Sequence, residues 1–264
     1  MDEQQRLRRR IIVLAAAVLV VTALLGTLLA LILARDHQNA LPSASAVQPT
    51  DRIVPGLVAR LPLVDQSGVA TDLAQFHGKV VVFADFMTSC QEICPITTGA
   101  LLLVEHDLVA AHLQNRVEIV EATIDPARDT PSRLRAYQSA FGVHWTLLTG
   151  TQANIDRLWS WIGVYYQRVK EAKPPAINWQ THRPYTYDLT HSDAVAILDS
   201  EGNERFIAAG NPNVGGKLPT ALYGLLDKQG HQNLAQPGYG SWTPADMVSA
   251  IGSVLGRSIP TSGS

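Results

Sequence analysis

Residues 79–95, KVVVFADFMTSCQEICP, decide how the rest of the chain is read. Lys79 to Phe86 is a short apolar run rich in β-branched side chains, preceded by His77-Gly78. That composition predicts a buried strand. The only two cysteines of the chain, Cys90 and Cys94, follow at once, four residues apart. On a helical turn that spacing puts both side chains on one face, with Cβ atoms about 5–6 Å apart. Two sulfurs so placed can share a metal ion or close into a disulfide. Pro95 then opens ITTGALLLVEHDLVAAHL, a helical pattern with proline at its start, where the missing N–H does no harm. Cys94 therefore sits at a helix N-terminus, where unpaired N–H groups and the helix dipole favour an anion, and its thiol is predicted to be acidified.

Outward from this segment the elements alternate. Val117 to Thr123 reads as a second strand, residues 125–131 (DPARDTP) as a loop, and Ser132 to Phe141 as a helix capped by Asp129 or Thr130. A brief strand is expected at Thr146 to Leu148, and a helix from Asn154 to Gln167 with Ile155, Leu158, Trp159 and Ile162 on one face. Residues 171–189 read as a loop containing prolines and aromatics. Ala194 to Leu198 and Glu204 to Ala208 form a hairpin, and Pro244 to Leu255 a last helix capped by Thr243. The order predicts an α/β, thioredoxin-like fold: a central mixed sheet flanked by helices, with the cysteines at the end of its first core strand.

Residues 11–34 hold no charge and are long enough to span a bilayer as one helix. Arg6, Arg8, Arg9 and Arg10 precede them, whereas Arg35 and Asp36 cancel. The positive-inside rule therefore places residues 1–10 in the cytoplasm and the main domain beyond the inner membrane, on a single-pass anchor. The run exceeds the apolar core of a cleaved signal peptide, which predicts that the anchor stays. Residues 35–52 read as a tether and 53–264 as the folded domain, with 211–242 an irregular, glycine- and proline-rich extension. Of 21 basic and 23 acidic residues, residues 1–35 hold five and two, leaving 16 and 21 outside. A mildly acidic domain speaks against nucleic acid as a partner.

Outside the cytoplasm disulfides persist. A loop closed by Cys90 and Cys94 is so short, however, that cross-linking it gains little entropy, which favours chemistry over scaffolding. Soft sulfur selects Cu(I) or zinc, and a third ligand is needed, for which histidine is the natural candidate. Asp85 interrupts the apolar strand and could pass protons to the thiols; Met87 could be a soft ligand or packing. His77, His106, His112, His144 and His231 have no motif around them.

Three motifs occur in order: Thr88-Ser-Cys-Gln-Glu-Ile-Cys-Pro95, Thr123-Ile-Asp-Pro-Ala-Arg-Asp-Thr-Pro131, and His191-Ser-Asp-Ala-Val-Ala-Ile-Leu-Asp-Ser-Glu-Gly202. Together they resemble the Sco/SenC family of copper-handling, membrane-tethered, thioredoxin-fold proteins, over residues 54–210. The resemblance implies that Cys90, Cys94 and His191 bind a copper ion, with His182 a weaker alternative to His191. It implies a metallochaperone that delivers copper to the dinuclear copper site of cytochrome c oxidase. The copper-site subunit of the oxidase is then the partner, with a copper donor or a thiol reductant upstream. The family often carries proline after its first cysteine, where this chain has Gln91, and residues 211–242 exceed the family's expected length. The alternative is an enzyme, a thiol–disulfide oxidoreductase in which Cys90 and Cys94 are catalytic and reduce a partner's copper-site cysteines. A thiol peroxidase is a more distant third reading.

Overall fold

The computed structural model describes residues 46–238 and 240–262. The tail and anchor expected in residues 1–34 lie outside these residues. No helix among the described residues is long and apolar enough to cross a membrane.

The elements run β1 (Val47–Arg52), α1 (Gly56–Ala59), β2 (Leu63–Asp65), β3 (Ala70–Thr71), a 3-10 turn (Leu73–Phe76) and β4 (Val80–Phe86). There follow α2 (Cys94–Ala110), β5 (Val117–Thr123), α3 (Pro131–Phe141), β6 (Thr146–Gly150), α4 (Gln152–Ile162), β7 (Tyr166–Val169) and β8 (Asp188–His191). The chain ends with β9 (Ala194–Leu198), β10 (Glu204–Ala209), α5 (Thr220–Tyr223), α6 (Lys228–Ala235) and α7 (Pro244–Leu255). Eight strands form one sheet in the order β1-β10-β9-β4-β5-β6-β2-β3, and β7 pairs with β8 in a separate ribbon. The sheet is mixed: β4, β5 and β6 run parallel, and β9 runs antiparallel to β4.

Every residue of β4 is buried, as expected of a strand covered on both faces. Phe83 and Phe86, three apart, point to opposite faces. Phe83 stacks on Trp159 of α4 with ring centroids 5.1 Å apart, and Phe86 meets Tyr137 of α3 at 5.8 Å. One strand thus locks helices to both sides of the sheet, the thioredoxin-like arrangement that the sequence predicts.

Several boundaries differ from the expectation for physical reasons. Helix α4 stops at Ile162, not near 167, because Gly163 takes a left-handed conformation (φ 98) as its C-cap. The residues beyond it open the β7–β8 ribbon, so residues 188 and 189, expected in the loop, belong to strand β8. Residues 47–52, read as part of the tether, form edge strand β1, with Val47 opposite Ala208. Thr130, not Asp129, caps α3 by accepting from Arg133 N–H. The extension of residues 211–242 contains two helices, α5 and α6. Helix α7 begins with a capping box between Thr243 and Asp246.

Candidate metal centre

The C-terminal end of β4 delivers the chain into an irregular loop, residues 87–93, and α2 begins at Cys94 itself. Cys90 lies in the loop, folded back over the start of the helix. Its sulfur accepts hydrogen bonds from Ile93 N–H at 3.5 Å and Cys94 N–H at 3.4 Å. These are N–H groups that the first helical turn cannot satisfy internally. Cys94 cannot use its own N–H in this way. The N–H groups of the helix terminus therefore add to the acidity of Cys90 and not of Cys94, the cysteine the sequence suggests.

The charges follow that geometry. The side-chain hydrogen bond with the Cys94 thiol holds the Cys90 thiol well below its ordinary range, against burial and with help from His191 and the Ile93 N–H. Burial pushes the Cys94 thiol up, reinforced by its bond to Cys90 and by the negative charges of Cys90, Asp193 and Asp85. Both sulfurs are free thiols, 6% and 1% exposed respectively.

His191 closes the group from the end of β8. Its register partner is Tyr166 on β7. Nε2 lies 3.7 Å from Cys94 Sγ. Nδ1 lies 3.1 Å from the carbonyl oxygen of Ser192 and 3.2 Å from Asp85 Oδ2. A carbonyl only accepts, so Nδ1 carries the hydrogen and Nε2 is the atom turned to the sulfurs. Burial opposes charging the ring, but Asp85 and Cys90 outweigh it and raise its pKa well above the ordinary value. Asp85 also accepts from Ala194 N–H at 2.7 Å, so β4 holds the turn carrying His191 from beneath. A second tie comes from the helix side, where Thr97 Oγ1 donates to Asp193 Oδ2 at 3.0 Å.

Ligand atoms of Cys90, Cys94 and His191 all lie within 4.8 Å of one another. Sulfur and nitrogen ligands sit about 2.0–2.3 Å from a bound first-row metal such as zinc. Two ligands of one ion are then at most about twice that apart, and a sub-ångström contraction brings all three onto a single centre. Two thiolates and an imidazole are a soft donor set that suits Cu(I). The residues therefore fit copper. Among the described residues no other three such side chains gather.

The remaining sequence candidates fall elsewhere. His182 is exposed, in a left-handed turn (φ 55) of the arm between β7 and β8. Met87 is buried and lines the cleft, beside the donor set. Asp85 hydrogen-bonds to no thiol among its contacts; it orients the histidine. His106 and His144 sit beside acids, Asp107 and Glu105, and His231 packs against Tyr223.

The DPARDTP loop contributes structure beyond the helix cap that the sequence suggests. Asp129 is fully buried and accepts from Thr88 N–H at 3.1 Å and Thr123 Oγ1 at 2.5 Å, which joins the cysteine loop to β5. Burial lifts its pKa to about 6 against those bonds. Arg128 donates to the Tyr187 carbonyl at 2.8 Å, and Arg133 to Tyr185 Oη at 2.9 Å. Trp179 donates to the Thr88 carbonyl at 2.8 Å. Together they dock the arm between β7 and β8 over the thiols and leave a cleft of about 290 Å³ that reaches Cys90 and His191.

A model of the SCO1/SenC family matches residues 55–213, and the chain belongs to that family. A Stutzerimonas stutzeri protein named for copper binding is 27% identical over 186 residues, which are 70% of this chain and 82% of the relative. A SCO2-like protein of Rickettsia prowazekii is 28% identical over 53% of this chain and 63% of its own length. The human mitochondrial SCO2 homolog is 29% identical over 53% of this chain, and about half (49%) of that relative is covered. Among solved structures, Bradyrhizobium japonicum ScoI with copper bound is 23% identical, covering 67% of this chain and 96% of that one, with a TM-score of 0.46. Yeast Sco1 is 24% identical over 62% and 87%, with a TM-score of 0.45.

Proposed function

We propose that this protein is a membrane-tethered copper metallochaperone that loads the dinuclear copper site of cytochrome c oxidase during assembly. Cys90, Cys94 and His191 are its copper ligands. The observation that carries this reading is the convergence of two thiols and an oriented imidazole within 4.8 Å, in a family whose members handle copper. The proposed topology is a cytoplasmic tail (1–10), an uncleaved single-pass anchor in the inner membrane (11–34), and an extracytoplasmic domain facing the copper-site subunit.

Three ligands and an open cleft suit transfer rather than storage. Incoming thiolates or imidazoles of the acceptor replace Cys90, Cys94 and His191 one at a time, so the ion is never free and the barrier is divided. In the copper-free site Cys90 holds the negative charge and Cys94 keeps its proton. A cation is what deprotonates a coordinating thiol outright, so loading expels protons from Cys94 and His191.

The low pKa of Cys90 also favours a second reading, dithiol exchange with the cysteines of a partner's copper site. Histidine discriminates the two. The test is anaerobic Cu(I) titration of the reduced protein against a competing chelator, with His191→Ala beside it. One copper per chain, with affinity lowered about tenfold or more in the variant, supports the chaperone. Binding indifferent to His191 rejects the three-ligand site.

A further inference from the structure

The family match ends at residue 213, yet the segment that follows reaches back to the cysteine loop. Leu222, Leu225 and Leu226 are buried in the core, and Leu218 and Leu222 pack on Gly99 of α2. From this footing the chain passes over residues 91 and 92. Asp227 N–H donates to the Gln91 carbonyl at 2.9 Å. Asn233 Nδ2 donates to the Glu92 carbonyl at 3.4 Å. Between them Gly230 presses directly on the loop: a Cβ at that position would lie 2.3 Å from Gln91 O and 3.2 Å from Glu92 Cα. The Asp227 side chain caps α6 by accepting from Gly230 N–H at 2.7 Å, which fixes the glycine against the loop. On the other side, Gln91 Nε2 donates to the Ile177 carbonyl at 3.1 Å.

Residues 91–93 span the gap between the two thiols, and Gln91 places no ring constraint on that backbone as proline would. A free loop of this kind samples many shapes, and binding a ligand must then order it. Here two successive carbonyls are held from outside, by a segment that the family match does not include. We infer that Asp227, Gly230 and Asn233 form a clasp that holds the Cys90–Cys94 loop in its ligand-presenting shape, and so act as positioning residues for copper. This rests on the copper reading for its consequence, though the clasp itself is testable without copper.

The experiment uses the full chain in detergent micelles, reduced, with two variants. Gly230→Ala forces α6 and the loop apart; Asn233→Ala removes one side-chain bond. The first readout is the rate at which iodoacetamide modifies Cys90 in the copper-free protein, with near-ultraviolet circular dichroism to verify a native core. The second is Cu(I) affinity against a chelator. Gly230→Ala is expected to speed modification of the buried Cys90 and to weaken Cu(I) about tenfold, as loss of an outer support does. Asn233→Ala should shift both in the same direction by a smaller factor. Unchanged rates in a natively folded Gly230→Ala overturn the clasp. Faster modification with unchanged copper affinity overturns its role in positioning. If Gly230→Ala does not fold, Asn233→Ala decides, and an unchanged rate there overturns the inference. If the unmodified protein binds no copper, the copper reading fails, while the alkylation arm still judges the clasp.

Discussion

Replacing Glu121 by glutamine should stabilise the protein at pH 8 and leave it nearly unchanged at pH 4.5. Glu121 is fully buried on β5. Its Oε1 accepts from Thr98 Oγ1 at 3.1 Å and its Oε2 from Trp145 Nε1 at 2.9 Å. Burial lifts its pKa from 4.5 to about 7, against those two bonds and with a push from Asp85. A carboxyl raised in this way favours the folded state while protonated. Between about pH 4.5 and 7 the native protein keeps a proton that the unfolded chain has lost, so stability falls as pH rises. Above 7 both states are ionised and the slope vanishes. The accumulated cost is about 3 kcal/mol, at about 1.4 kcal/mol for each pKa unit. Glutamine is neutral throughout. Its carbonyl accepts from Trp145 and its amide donates to Thr98, whose hydroxyl then turns to Tyr137 Oη, 3.2 Å away. Urea unfolding of both proteins at several pH values between 4.5 and 8 reads the difference. Asp129 and the other shared groups cancel, because they are present in both. A variant advantage that grows with pH toward about 3 kcal/mol is expected. A difference that stays flat with pH, or a variant less stable at pH 8, would refute the assignment of a proton to this carboxyl.

Three further outcomes follow from the packing and the site. Phe83→Ala removes the ring stacked on Trp159 and should cost about 3–5 kcal/mol in urea unfolding; a loss under 1 kcal/mol would mean that α4 is not held to the sheet through this pair. Asp85→Asn leaves the His191 ring without its carboxylate partner and should weaken Cu(I) binding about 10–100-fold with the fold retained, measured by chelator competition. At pH 7, iodoacetamide should label Cys90 of the intact reduced protein roughly tenfold faster than Cys94, read by peptide mass spectrometry, since one thiol is lowered and the other raised; equal rates would remove the asymmetry.

The strand that ends in the cysteines was legible because β4 is covered on both faces, and such a strand shows as an unbroken apolar run. Helix α7 was equally plain, with threonine, proline and a periodic apolar face in register. What the sequence concealed was of two kinds. Glycine-terminated boundaries such as Gly163 depend on a left-handed turn, and periodicity carries through such a position. Long-range polar pairing has no local signature at all. Asp129 stands where a cap is expected, but Thr130 takes that role and frees the carboxylate for Thr88, 41 residues away. Asp85 drew notice as an acid in an apolar strand, yet its partners His191 and Ala194 lie more than 100 residues further on.

The reversal of the two cysteines bears on what the site is built to do. Local reasoning assigns the acidic thiol to the residue at the helix start, but a side chain there cannot accept from its own N–H. The loop instead brings Cys90 back over two free N–H groups. Asp85 and Asp193 lie close to the thiol pair, and their charges add to the burial that raises the Cys94 pKa. For dithiol exchange alone, the acids beside Cys94 are a hindrance, because they disfavour the second thiolate that must attack to release a mixed disulfide. For a cation carrier they are an asset. They keep the empty site from holding two adjacent negative charges, and a bound cation reverses their effect by making every nearby carboxylate favourable. The same acids therefore oppose the site when it is empty and support it when it is loaded. That difference suits the binding of a copper ion better than it suits simple thiol chemistry.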